Sequence, residues 1–226
     1  MIIERASEQR INLYYDLYVP DDNAAAKPLI IALHGYEGNK ESMMALMRKV
    51  NDRDFIIASV QGPNGFFVRG DDQRQPKIGF GWMMQYKADE TIRLHHQTLL
   101  SVIETTAADY PVNRRAIFLV AFSQSVSLNY RFAFTHPDMI RGVISVCGGI
   151  PGDWDADKYQ PSDTEALIIA GQSDEFYPIE RVRTFEPAIA RRARAVTFKS
   201  YAVGHVFPRE SLGFINEWII ERATSE

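Results

Sequence analysis

Apolar positions along the chain fall into short continuous runs separated by longer stretches of helical spacing. Runs at 29–33, 55–60, 116–120, 142–147, 166–170 and 196–202 are rich in Ile, Val, Leu and Ala and have the length of strands buried on both faces. Residues 11–19 instead alternate: Ile11, Leu13, Tyr15, Leu17 and Val19 sit between more polar neighbours, the signature of a half-buried strand, and residues 2–5 are expected to pair with it as a hairpin. Between the runs, Met43, Met44, Leu46, Met47 and Val50 predict a helix capped by Ser42 or a near neighbour. Ala88, Ile92, His95, Leu99, Ile103 and Ala107 predict a second helix, over 88–110, that stops before Pro111. Residues 126–134 predict a third, the segment after Pro178 a fourth that Pro187 must kink or interrupt, and 208–220 a closing helix.

Strand and helix alternating without repeats predict an α/β fold, with a mostly parallel central sheet and helices on both faces. At 226 residues, with 46% hydrophobic and 24% charged residues, the chain is expected to form a single domain over 1–226. Two connections, 61–87 and 148–165, are long and aromatic, and they are expected to be ordered loops beside the active site.

A net charge of −4 gives no overall attraction to phosphate backbones, so nucleic acid is excluded as a partner class. Arg181, Arg183, Arg191, Arg192 and Arg194 read as a solvated helical face. No apolar run reaches the length of a membrane span, and the first ten residues, MIIERASEQR, lack the apolar core of a secretion signal; a soluble, cytoplasmic protein is expected. The single cysteine, Cys147, permits no internal disulfide and no multi-cysteine metal site, and its apolar context suggests packing. His95 and His96, adjacent within a predicted helix, cannot both face one metal ion and read as structural.

Candidate chemistry gathers just beyond the predicted strands, where parallel sheets place their sites. Ser123 lies where the 116–120 strand breaks into a helix, flanked by the small residues Ala121 and Ser125; Asp174 follows the 166–170 strand and His205 the 196–202 strand. A serine hydroxyl is a weak nucleophile near neutral pH and needs a base within reach, a task for neutral His205, with Asp174 fixing the imidazole tautomer and stabilising its cation. The oxyanion of an acyl-transfer intermediate needs two amides, for which Gln124 and Tyr36 are the candidates, with Gly35 allowing close approach and His34 orienting the loop. Glu37 would oppose that charge and is expected to point away. The aromatics Phe66, Phe67, Trp82, Phe122, Trp154, Phe176 and Phe207 are candidates for lining an acyl pocket.

Together the motifs LHGYEGN, QGPNG followed by Gly81-Trp82, AFSQS, GQSDEFYP and Gly204-His205 resemble the phospholipase/carboxylesterase group of α/β-hydrolases, over residues 29–218. The resemblance implies the α/β-hydrolase fold and a serine hydrolase acting on small-molecule carboxylic or thiol esters, with no metal or organic cofactor. It assigns Ser123, Asp174 and His205 to the triad and Tyr36 and Gln124 to the oxyanion amides. The chain departs from that pattern at Ala121, Ser125 and Glu37, where glycine is usual, and at Val126, where it is frequent. A carboxylesterase for short to medium acyl chains is the leading expectation. A thioesterase or peptidase using the same residues, and an impaired hydrolase fold serving as a binding module, remain the alternatives.

Overall fold

A computed structural model of the chain describes residues 1–7, 11–22, 24–68 and 77–224. Its strands are β1 (Tyr15–Tyr18), β2 (Lys27–Leu33), β3 (Ile56–Val60), β4 (Asn64–Val68), β5 (Lys77–Gly81), β6 (Val112–Phe122), β7 (Gly142–Val146), β8 (Ser162–Gly171) and β9 (Ala193–Tyr201). Its helices are α1 (Lys40–Val50), α2 (Ala88–Asp109), α3 (Val126–Thr135), α4 (Ile179–Arg183), α5 (Phe185–Ala190) and α6 (Ser211–Thr224). Seven strands form one sheet in the order β1-β3-β2-β6-β7-β8-β9, parallel throughout except for β1 against β3.

The central strands are apolar on both faces because both faces are covered. Alternate residues of β2 divide between two core layers: Leu29, Ile31 and Leu33 pack with Leu99 of α2, Leu128 and Phe132 of α3 and Ile189 of α5. Ile30 and Ala32 pack with Met43 and Met47 of α1 and Ile215 and Trp218 of α6. The methionines are core residues, as their helical spacing implies.

Three local expectations are corrected. The hairpin at residues 2–5 does not form: they make no strand and are exposed, Glu4 contacting Tyr86 and Lys87, and β1 begins only at Tyr15 and pairs with β3. Asn39, and not Ser42, caps α1; its Oδ1 accepts from the Ser42 amide at 2.8 Å. The 61–87 connection contains a two-stranded antiparallel sheet, β4 with β5, which touches the loop after β2 through a bridge between Gly38 and Phe80; its residues 69–76 lie outside the described part. The interruption expected from Pro187 is present as a break at Thr184 between two helices, which places the proline in the first turn of α5, where an amide hydrogen has no helical partner to lose.

Candidate active site

β6 carries the chain to the carboxyl edge of the sheet and ends at Phe122. Ser123 then takes φ +57°, a left-handed conformation costly for a residue with a Cβ, and opens a 3₁₀ turn over Ser123–Ser125 that leads into α3. The turn is braced from beneath. Ser125, fully buried, places its hydroxyl 2.9 Å from the His34 carbonyl oxygen, 3.1 Å from that of Phe122 and 3.2 Å from that of Leu33, tying the elbow to the end of β2. Val126, branched at Cβ, fits because residue 148 is glycine: a Cβ there would stand 2.4 Å from the valine methyl and 2.8 Å from the Ser123 carbonyl oxygen. Gly35 allows the same closeness on the other side, since a Cβ at that position would meet the Phe122 ring at 2.7 Å.

Two further loops reach Ser123 from β8 and β9, and backbone bonds join them: the amides of Gln172 and Ser173 donate to the carbonyls of Tyr201 and Val203 at 2.8 and 3.0 Å. Asp174 is buried, its Oδ1 accepting from the amides of Phe176 and Tyr177, both at 2.9 Å. Its Oδ2 accepts from Nδ1 of His205 at 2.9 Å. That bond puts the imidazole proton on Nδ1 and leaves Nε2 to accept from Ser123 Oγ at 2.8 Å. Rings hold the imidazole in place: Phe122 lies 5.1 Å away, Phe176 4.8 Å, and Tyr177 stacks at 5.8 Å.

Ser123 and His205 open onto a cavity of about 800 Å³ whose wall includes Tyr36, Gln124, Phe122 and Phe176. The Gln124 side chain is tied down, Oε1 accepting from the Trp82 amide at 2.7 Å and Nε2 donating to the Met83 carbonyl at 3.3 Å. Behind Tyr36, His34 is buried. Its Nε2 accepts from the Gly62 amide at 2.9 Å, so Nδ1 donates to the Gly35 carbonyl at 2.7 Å, and desolvation holds its pKa below the ordinary histidine value. His34 is therefore a neutral strut of the loop.

Several expected site residues lie elsewhere. Trp82 and Trp154 are core residues; the first donates Nε1 to the His34 carbonyl and the second to that of Ala188, and neither reaches the cavity. With Trp154 and Tyr159 buried, the 148–165 segment packs inward beside α3 and α5 and does not cover the site. Phe207 is placed behind Phe122, with ring centres 6.3 Å apart, and Phe66 stacks on Tyr36 at 4.8 Å, at the margin of the cavity. Phe67 is exposed. Glu37, expected to turn away, is part of the cavity wall. So are Tyr177 and Arg181, which the sequence reading missed; their position three and seven residues after Asp174, on the same rim, was the available signal. Nor do the arginines form one solvated face: Arg194 lies in β9, and Arg192 donates to the carbonyls of Trp154 and Tyr159.

Cys147 is buried and its thiol pKa is pushed up to about 12, first by desolvation, which suits packing and not nucleophilic chemistry. Among the described residues no group of three His, Cys, Asp or Glu could hold a metal ion, and no helix is long and apolar enough to cross a membrane.

Comparison with known proteins adds lineage to this geometry. A phospholipase/carboxylesterase family model matches residues 16–222. Among solved structures, esterase PE8 superposes with a TM-score of 0.72 at 20% identity, covering 94% of this chain and 100% of its own. The Bacillus cereus carboxylesterase gives 0.72 at 17% identity, covering 93% and 94%, and TT1662 from Thermus thermophilus gives 0.67 at 15%, covering 96% and 100%. Comparison with curated proteins finds no match. The match runs from β1 into α6 and so includes every strand that delivers a residue to the cavity: the chain has the α/β-hydrolase fold and belongs to the phospholipase/carboxylesterase family.

Proposed function

We propose that the chain is a serine hydrolase that cleaves carboxylic esters of short to medium acyl chains through an acyl-enzyme intermediate. The observation that carries this reading is the continuous hydrogen-bonded chain from Ser123 Oγ through His205 to Asp174, ending in an open cavity. Ser123 Oγ attacks the ester carbonyl carbon while its proton passes to Nε2 of His205. Asp174 keeps its charge and stabilises the imidazolium; its second oxygen, held by two amides, prevents the carboxylate from turning. The tetrahedral oxyanion is received by the amides of Tyr36 and Gln124, whose preorganisation comes from His34 behind the first and the Trp82 contact behind the second. His205 then protonates the departing alkoxide, and water repeats the sequence to release the acid.

The acyl chain lies against Phe122 and Phe176, and a cavity of about 800 Å³ is within the usual range for small-molecule sites. Turnover of 4-nitrophenyl esters across acyl lengths tests the reading: activity should peak at short to medium chains, and Ser123→Ala should lower kcat by about a thousandfold or more. Folded protein without activity at any length, and without labelling of Ser123 by a fluorophosphonate, would overturn it in favour of a binding module.

A further inference from the structure

The cavity is electrically polarised across Ser123. In the sheet order, β2 lies on one side of β6 and β8 on the other. The loop after β2 brings Glu37 to the cavity wall, whereas the segment after β8 brings Arg181, at the third position of α4, to the wall beyond Asp174. A carboxylate and a guanidinium therefore face the same space from opposite flanks. Arg181 is close enough to Tyr177 to act on its hydroxyl electrostatically, and Tyr177 stacks on His205, so the cation stands on the imidazole side of the nucleophile. Its guanidinium lies 5.9 Å from the Phe185 ring, and among the described residues no carboxylate forms an ion pair with it. Arg183, two residues on in α4, sits over Phe198 and is not part of the cavity wall.

An unpaired guanidinium in the wall of a reaction cavity favours an anionic group there, and its planar donor fork suits a carboxylate. Glu37 on the opposite flank repels the same group, so orientation is selected as well as charge. We infer that Arg181 is a specificity-determining residue, and that the preferred substrate is an ester bearing a free carboxylate which lies on the His205 side of the cavity. This inference rests on the hydrolase reading for its chemistry and on Arg181 for its selectivity. The carboxylate could belong to the acid part of the ester or to the alcohol part; both present the same group to Arg181.

Two substrate pairs separate these sources. 4-Nitrophenyl hydrogen adipate against 4-nitrophenyl hexanoate places the charge on the acyl side, and 3-acetoxybenzoate against phenyl acetate places it on the leaving side. In one pair or both, kcat/KM should favour the anionic member. Arg181→Gln should lower that preference by about tenfold, Arg181→Glu should lower it further, and 0.5 M salt should weaken it in the unaltered protein. Isothermal titration with adipate gives a readout independent of turnover: affinity should fall about tenfold in Arg181→Gln, with 1,6-hexanediol as the uncharged control. Ratios and adipate affinity that are the same in the unaltered protein and both variants would overturn the inference. Absence of turnover on every ester would sink the hydrolase reading alone, and the titration would still decide the role of Arg181.

Discussion

Ser125 links the two halves of the candidate oxyanion site. Its hydroxyl has one hydrogen to give and three carbonyl oxygens within 3.2 Å, so it belongs to the elbow and to the end of β2 at once. Ser125→Ala removes that bond without adding volume. It should cost about 1 kcal/mol, seen as a melting temperature lower by about 2–4 °C, and should reduce kcat more than it raises KM. The sequence showed the small size of this residue but not its bonds, because carbonyls brought from another strand leave no local mark. Val126 and Gly148 carry a similar hidden dependence. Gly148→Ala should destabilise the fold and depress activity, and adding Val126→Ala should restore only part of the loss, because the Ser123 carbonyl still stands 2.8 Å from the new Cβ. By contrast the meeting of Ser123, Asp174 and His205 at one edge of the sheet was legible, since each combines a reactive side chain with a position just past an apolar run. Trp82 and Trp154 were misread because a large aromatic in a loop has the same letter whether it faces a cavity or closes a core.

Among the elements, β2, β3, β7 and α2 were read from the sequence to within two residues of their ends, whereas β6 and β8 begin four residues earlier than their apolar runs, because their opening residues include the polar Asn113, Arg114, Arg115, Asp163 and Glu165. The β4–β5 pair left no unbroken apolar record: Phe67 and Ile78, opposite each other across it, are exposed, and glycines interrupt both strands. α1 shows how a cap decides a boundary. Both Asn39 and Ser42 are capping residue types, and the extended backbone at Asn39 allows its side chain to turn back onto the Ser42 amide. Asn39→Ala should therefore cost about 1 kcal/mol in urea denaturation, and more than Ser42→Ala. Since α1 follows directly on the loop carrying Tyr36, the same variant should lower kcat as well.

For the molecule as a whole, the response to acid follows in part from two histidines of α2 that are not in the cavity wall. His95 is buried beside Asn129, and desolvation lowers its pKa to about 3; His96, next to His136, is lowered to about 4, again chiefly by desolvation. The unfolded chain takes up protons at both near the ordinary value of about 6.5, so it binds more protons than the folded chain below that pH. Stability from this source is complete above about pH 7 and declines as pH falls toward the folded values. The melting temperature should drop between pH 7 and pH 5, and His95→Gln should flatten the slope. A second whole-molecule device is Glu165, which bridges Arg141 before β7 and Arg222 in α6 at 2.8 and 2.7 Å. Glu165→Ala removes the carboxylate that both guanidiniums share and should cost about 2 kcal/mol in denaturant unfolding. Among the described residues, the β4–β5 arm meets the loop after β2 through the Gly38–Phe80 bridge, the Phe66 stack on Tyr36 and the closeness of Gly79 to the Glu37 backbone, and Gln124 through the Trp82 amide that follows it. Phe67 and Ile78, opposite each other on its exposed side, belong to neither core layer, so a lineage, or an engineer, could exchange them and reshape the surface beside Tyr36 at little expense to the fold.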